Sequence, residues 1–312
     1  MSRTSLIIDC DPGVDDGVAL LLAFAAPDAL DLIAVTTVAG NVDAELTARN
    51  ARIIRQIAGR QDTPVFKGAA LPLFRAPVVA DQFHGESGLG FLEVFEPDAP
   101  LASGPAANAI VEAVMTRAPG EVTLAVTGPM TNVALAMRLE PAITRRLGPV
   151  VVMGGARREG GNVTASAEYN IFADPHAAQV VFGSGCEVIT FGLDATYQVR
   201  ITPERLAAFE AIKTPVGQAV HSLLAFTCHA EAANGVGRES PLHDPCTIAF
   251  ILKPELFISL PAQIRVETTS PLTLGHTAVE FRLPDPHAVR TRWVTEADAD
   301  GVFGLLLERL GG

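Results

Sequence analysis

The amino-acid sequence predicts an α/β protein: an open, mostly parallel sheet flanked by helices, with additional helices and strands toward the C-terminus. Two observations carry that expectation. Short apolar runs rich in β-branched residues alternate with helical stretches, the pattern of crossover units between parallel strands. The 312 residues are 48% hydrophobic and 19% charged, which supplies a large core and excludes low-complexity disorder.

The elements follow in order. Residues 5–9 read as a fully buried strand, and a Gly/Pro/Asp turn leads into a helix over 16–26 that Pro27 stops. A second strand is expected over 31–38. The helix over 43–58 sets Ala44, Ala48, Ala51 and Ile54 on one face. A short strand at 63–66 precedes buried strands at 122–126, 150–153 and 188–191, each bracketed by Gly or Pro. Helices are expected to start at Pro105 and Pro175, the second with Asp174 as its N-cap. Residues 68–104 mix Gly, Pro and Phe without a period, and a loop of that length is usually functional or mobile. Helices around 203–212 and 215–233 precede extended runs at 262–269 and 276–283. No repeat and no linker divides the chain, so a single domain over 1–312 is expected.

Acidic residues outnumber basic ones by 35 to 23, for a net charge of −12. Such a surface repels phosphate backbones and anionic lipid, which argues against nucleic-acid or membrane partners. Cys10, Cys186, Cys228 and Cys246 stand far apart with no C-x-x-C pair and read as reduced thiols. Asp9 comes too early for a signal-peptide apolar region, and the longest apolar run, 18–26, is too short to cross a bilayer. A soluble cytoplasmic protein is expected.

The strongest chemical signal is Asp9-Cys10-Asp11-Pro12-Gly13-Val14-Asp15-Asp16. Four carboxylates crowd eight residues at the carboxyl end of a strand, where open parallel sheets bind ligands. One of them, Asp15 or Asp16, suffices as a helix cap. Four repel one another unless a cation neutralises them. No His or Cys stands at ligand spacing nearby, so a hard, oxygen-bound Ca²⁺ or Mg²⁺ fits better than Zn²⁺. Other presumed strand ends offer further groups. Thr127-Gly128-Pro129-Met130-Thr131-Asn132 reads as a turn with Thr131 as a cap, or as part of the site. A glycine-rich loop from Gly154-Gly155 to Gly160-Gly161 leads to Asn162, Glu168 and Asn170, donors and acceptors suited to sugar hydroxyls. His243-Asp244-Pro245 reads as an N-cap followed by Pro, or as site residues. Neither G-x-G-x-x-G nor a P-loop motif occurs.

The eight-residue acidic segment resembles the N-terminal signature of the inosine–uridine-preferring nucleoside hydrolases. Gly40-Asn41, His84-Gly85-Glu86-Ser87-Gly88-Leu89, Thr127–Asn132, Met153-Gly154-Gly155, Asn162, Ala167-Glu168-Tyr169-Asn170 and His243-Asp244-Pro245 agree with that family in order and spacing. The resemblance runs from residue 6 to about 250. It implies a Ca²⁺-dependent hydrolase that splits ribonucleosides into base and ribose, usually as a homodimer or homotetramer. It further implies Asp11 as metal ligand and general base, Asp16 and Asp244 as metal ligands, and the Thr127 backbone carbonyl as another. Asp15, Asn41, Asn162, Glu168 and Asn170 would hold the ribose, His243 would protonate the departing base, and His84 would face the base side.

The chain departs from the family in two places. Gly90-Phe91 stands where members often have Asp-Gly. Residues 226–234, Phe-Thr-Cys-His-Ala-Glu-Ala-Ala-Asn, lack the aromatic hydroxyls of pyrimidine-preferring relatives; His229 or Glu231 substitutes, or the stretch is a solvated helix face. Two other function classes fit less well. A non-catalytic ribose or nucleoside binder has no need of a base at Asp11. A Mg²⁺ phosphotransferase of D-x-D type would use lysine against phosphate, yet Lys67, Lys213 and Lys253 lie outside the motifs.

Overall fold

A computed structural model describes residues 3–78, 80–235 and 239–311. Six strands arise at short runs rich in apolar residues: β1 (Thr4–Cys10), β2 (Leu30–Thr37), β3 (Val65–Lys67), β4 (Val122–Val126), β5 (Val150–Met153) and β6 (Val188–Phe191), of which β4, β5 and β6 are buried throughout. Two-residue strands β7 (Arg200–Ile201) and β8 (Ser240–Pro241) pair with each other. Beyond them come β9 (Phe257–Pro261), the antiparallel pair β10 (Gln263–Val266) and β11 (Thr277–Glu280), and β12 (Thr291–Ala297). The main sheet has the order β3-β2-β1-β4-β5-β6-β12-β9 and is parallel up to β12, with β9 antiparallel at its edge.

The helices of the N-terminal part are α1 (Val14–Phe24), α2 (Ala44–Ile57), α3 (Asp81–His84), α4 (Ala106–Met115), α5 (Thr131–Leu139), α6 (Tyr169–Ala173) and α7 (Pro175–Phe182). After β6 come α8 (Leu193–Thr196), α9 (Pro203–Glu210), α10 (Pro215–Ala233), α11 (Pro245–Leu252) and α12 (Ala299–Leu310). Side-chain alternation along the strands builds two cores. Leu6, Ile8, Ala125 and Val151 join the layer that includes α1, α10, α11 and α12. Ile7, Leu124, Val126, Val150 and Val152 join the layer of α4, α5 and α7. Leu6, Ile7 and Ile8 are fully buried, a contribution of about 1.5–3 kcal/mol each.

Several expectations need correction. Helix α1 starts at Val14, two residues early, because Gly13 is its N-cap and its N–H donates to the Asp16 side chain at 3.0 Å. Pro105 is the N-cap of α4, outside the helix. Asp174 does cap α7, accepting from the Ala177 N–H at 3.0 Å. Strands β9 and β12 and helix α12 are not among the expected elements. Strand β12 interleaves Arg292, Thr295 and Glu296 with Trp293 and Val294, so no continuous apolar run marks it. The long stretch 68–104 is fastened to α2: Arg52 donates to the carbonyls of Pro97 and Ala99 at 2.8 and 2.9 Å, and Arg55 to that of Ala99 at 2.8 Å. All four cysteines are free. Among the described residues no helix is long and apolar enough to cross a membrane.

Candidate active site

Parallel strands bring their carboxyl ends to one edge of the sheet, and the chemistry gathers there. The turn after β1 supplies Asp11 and the first turn of α1 supplies Asp15 and Asp16, the segment after β2 supplies Asn41, and the turn after β4 supplies Thr127. The stretch between β5 and α7 contributes Asn162, Glu168 and Asn170. Asp244 arrives at the start of α11.

The carboxylates are tightly placed. Asp11 accepts the Asn41 N–H through Oδ2 at 2.8 Å, whereas its Oδ1 is buried and has no hydrogen-bond partner. Asp16 Oδ1 accepts the Thr127 hydroxyl at 2.7 Å, and its Oδ2 accepts the Asn41 amide at 3.1 Å. Ligand atoms of Asp15, Asp16 and Asp244 all lie within 4.8 Å of one another. Asp244 occupies the N-cap position of α11, but its backbone is helical (φ −61°, ψ −38°) and its side chain makes no cap bond. The capping interpretation therefore fails for Asp244, and its carboxylate turns to the cluster. Thr131 is not a cap either; its hydroxyl donates to Asp174 at 2.7 Å.

Burial first, then the Asp16 charge, pushes Asp11 well above the usual carboxylate range. Burial and the charge of Asp15 push Asp16 up to about 7. Asp244 is raised well above that range by burial and by Asp15, Asp16 and Asp11. Among the described residues no Lys or Arg forms an ion pair with these four. An all-oxygen donor set, oxygens on Asp11 and Asp15 without hydrogen-bond partners, and no Lys or Arg counter-charge fit a hard cation. Among the described residues the one basic side chain paired with the group is His84, 4.0 Å from Asp15, whose protonation burial disfavours. The first acid of the motif is separate. Asp9 Oδ1 accepts from the Thr36 hydroxyl at 2.6 Å and the Asn132 amide at 2.8 Å, and burial raises it to about 7.

A cavity of about 420 Å³ opens over the cluster, a size typical of small-ligand sites. Asp15, Asn41, Thr127 and Asp244 line it, together with His84, Asn162, Glu168, Asn170 and His243. Asp11 and Asp16 sit one layer deeper, fully buried.

The expected sugar-binding groups also hold the backbone in place. Glu168 caps α6, taking the N–H groups of Asn170 at 2.8 Å, Gly155 at 2.8 Å and Ile171 at 3.1 Å. The Asn170 amide donates to the Thr127 carbonyl at 2.7 Å and the Met153 carbonyl at 3.2 Å. Asn162 is exposed and accepts the Tyr169 N–H at 2.9 Å.

His84 Nδ1 accepts the Val14 N–H at 3.2 Å, and burial lowers its pKa. His243 Nδ1 lies 2.8 Å from the Thr196 hydroxyl, and burial pushes the imidazole down to about 4. Thr196, which reaches His243, and Tyr197, which lines the cavity, carry no motif; only their position just past β6, at the carboxyl edge of the sheet, points to them. Of the two candidates on α10, Glu231 lines the cavity, whereas His229 is exposed against Phe91, with ring centroids 5.5 Å apart. The lysines serve other partners: Lys67 pairs with Glu45 at 2.6 Å, Lys253 with Glu308 at 3.1 Å, and Lys213 donates to the Glu210 carbonyl at 2.8 Å. None lines the cavity, which removes the phosphate clamp a phosphotransferase needs.

Comparison with known proteins agrees with this geometry. The model of the inosine-uridine preferring nucleoside hydrolase family matches residues 6–304. The pyrimidine-specific ribonucleoside hydrolase RihA of Photobacterium profundum is 41% identical over 319 aligned residues, covering 99% of each chain. The inosine-uridine preferring nucleoside hydrolase of Crithidia fasciculata is 37% identical over 306 residues, 98% of this chain and 96% of that one. In the solved structure of the purine-preferring ribonucleoside hydrolase from Gardnerella vaginalis the fold is shared with a TM-score of 0.92. The two are 30% identical, over 99% of this chain and 98% of that one. Fold and site thus define a class, the ribonucleoside hydrolases. The chain belongs to the inosine-uridine preferring nucleoside hydrolase family.

Proposed function

We propose that the chain, acting as one catalytic domain over 1–312, hydrolyses the N-glycosidic bond of ribonucleosides to free base and ribose with Ca²⁺ as its metal. One observation carries this reading: Asp15, Asp16 and Asp244 bring ligand oxygens within 4.8 Å of one another at a nucleoside-sized cavity, and Asp11, in the same acidic segment, keeps a buried Oδ1 without a hydrogen-bond partner. Asp11, Asp16, Asp244 and the Thr127 carbonyl would hold the cation. When bound, the cation offsets the clustered negative charge and acidifies water.

The chain's own residues supply the rest. Asp11, anchored through one oxygen by Asn41, takes a proton from water through the other. Asp15, Asn41, Asn162, Glu168 and Asn170 orient the ribose, and the surrounding negative charge stabilises the oxocarbenium-like state as the base departs. His243 acts as a neutral donor: with the Thr196 hydroxyl donating to Nδ1, the Nε2–H is left for the leaving base. His84 lies at the base side. We place the protein in the cytoplasm as a homodimer or homotetramer, which sedimentation measures directly.

The test is a panel of ribonucleosides assayed for free base and reducing sugar, before and after metal chelation. Activity should vanish on chelation and return with Ca²⁺. Full activity in protein shown by elemental analysis to be free of metal contradicts the assignment.

A further inference from the structure

The three relatives are named for pyrimidine nucleosides, for inosine and uridine, and for purine nucleosides, so kinship does not fix the base taken here. The cavity wall carries groups that the metal and sugar roles leave unassigned. Helix α10 presents Thr227, Ala230 and Glu231, spaced three and four residues apart and therefore on one face. Glu231 is the ionisable one of the three. Its Oε2 is buried with no hydrogen-bond partner among the described residues.

The adjacent cation, Arg200, is otherwise engaged. Its Nε donates to the Tyr197 carbonyl at 2.7 Å, its Nη1 donates to the Glu239 carbonyl at 3.0 Å, and its guanidinium lies over the Tyr197 ring. No ion pair joins Glu231 to a Lys or Arg among the described residues. A buried acceptor left without a donor is costly, and a ligand that brings one into the cavity removes that cost.

Building on the hydrolase reading, we infer that Glu231 reads the nucleobase and selects bases that carry an exocyclic amino group. An ionised carboxylate accepts an amino N–H. Uracil and hypoxanthine carry a carbonyl oxygen in place of an amino group, and that oxygen repels the carboxylate. Glu231 therefore replaces ring gripping by edge reading on a helix face that lacks Tyr and Trp.

Two substrate pairs exchange the amino group for a carbonyl oxygen: cytidine against uridine, and adenosine against inosine. The experiment measures kcat/KM for all four with the metal-loaded wild type, Glu231→Gln and Glu231→Leu. The wild type should favour the amino-bearing member of each pair by about 10-fold or more. Both ratios should fall toward one in Glu231→Leu. Glu231→Gln should keep part of the preference, because its carbonyl oxygen still accepts. Wild-type ratios near one, or ratios unchanged in Glu231→Leu, overturn the assignment, as does an equal loss on all four substrates. Failure to hydrolyse any of the four rejects the hydrolase reading instead. In that case the Kd ratios from titration calorimetry decide on Glu231 by the same criteria.

Discussion

Asp11 has one carboxylate oxygen held by a backbone amide and the other buried without a partner. That leaves Asp11 one oxygen open to a ligand or water, whereas both oxygens of Glu168 are taken by three backbone N–H groups. Asp11→Asn keeps an oxygen in place but cannot take a proton. Steady-state turnover should fall by roughly 10²–10⁴, with KM changed far less. Near-normal turnover would mean that another group activates water. At this scale the sequence points to the right edge of the sheet, but the three acids that converge are Asp16 and Asp244, expected as metal ligands, with Asp15, expected at the ribose, and Asp11 is not among the three. The sequence was not legible where one side chain serves two purposes. Asp16 accepts both the Gly13 N–H at the start of α1 and the Thr127 hydroxyl, and Asp244 stands at a cap position without capping. Motif spacing cannot reveal which way a carboxylate turns. Nor does it show that Thr196 reaches His243 from 47 residues away.

At the scale of elements, the site depends on turns that let backbone approach the Asp11 carboxylate. A Cβ on Gly128, in the turn between β4 and α5, would stand 2.5 Å from Asp11 Oδ1 and 3.0 Å from the Asp11 amide nitrogen. Gly128→Ala must therefore displace Asp11. Activity should drop at least about 10-fold while the melting temperature moves modestly, since overpacking costs about 1–3 kcal/mol. Unchanged kcat/KM would show that the close approach is not required. Strands β4, β5 and β6 fall where the sequence placed them, because a strand buried on both faces must be apolar throughout. Strand β12 enters the same sheet with Arg292 and Glu296, and β9 exposes Ile258 and Leu260 at the edge. Tertiary pairing sets those strands, and local composition does not report it.

For the whole molecule, the cluster links cation binding to stability. Unfolded carboxylates titrate near 4, whereas burial and mutual repulsion raise Asp16 to about 7 and Asp11 and Asp244 well upward. Without metal, the folded state binds more protons than the unfolded state between about pH 4 and 7, so stability falls as pH rises through that window. Metal-free protein should melt several degrees lower at pH 8 than at pH 5, and Ca²⁺ should restore the difference at pH 8. A metal-free melting temperature that rises toward pH 8 would contradict this electrostatic account.

The central claim, a site built around ribose and its cation, meets its most direct test in the sugar. Removing the 2′-hydroxyl leaves buried polar groups unpaired, so kcat/KM for inosine and uridine should exceed that for their 2′-deoxy forms by at least about 10²-fold. Equal hydrolysis of the deoxy forms would contradict the claim and leave Asn162, Glu168 and Asn170 with their backbone contacts alone.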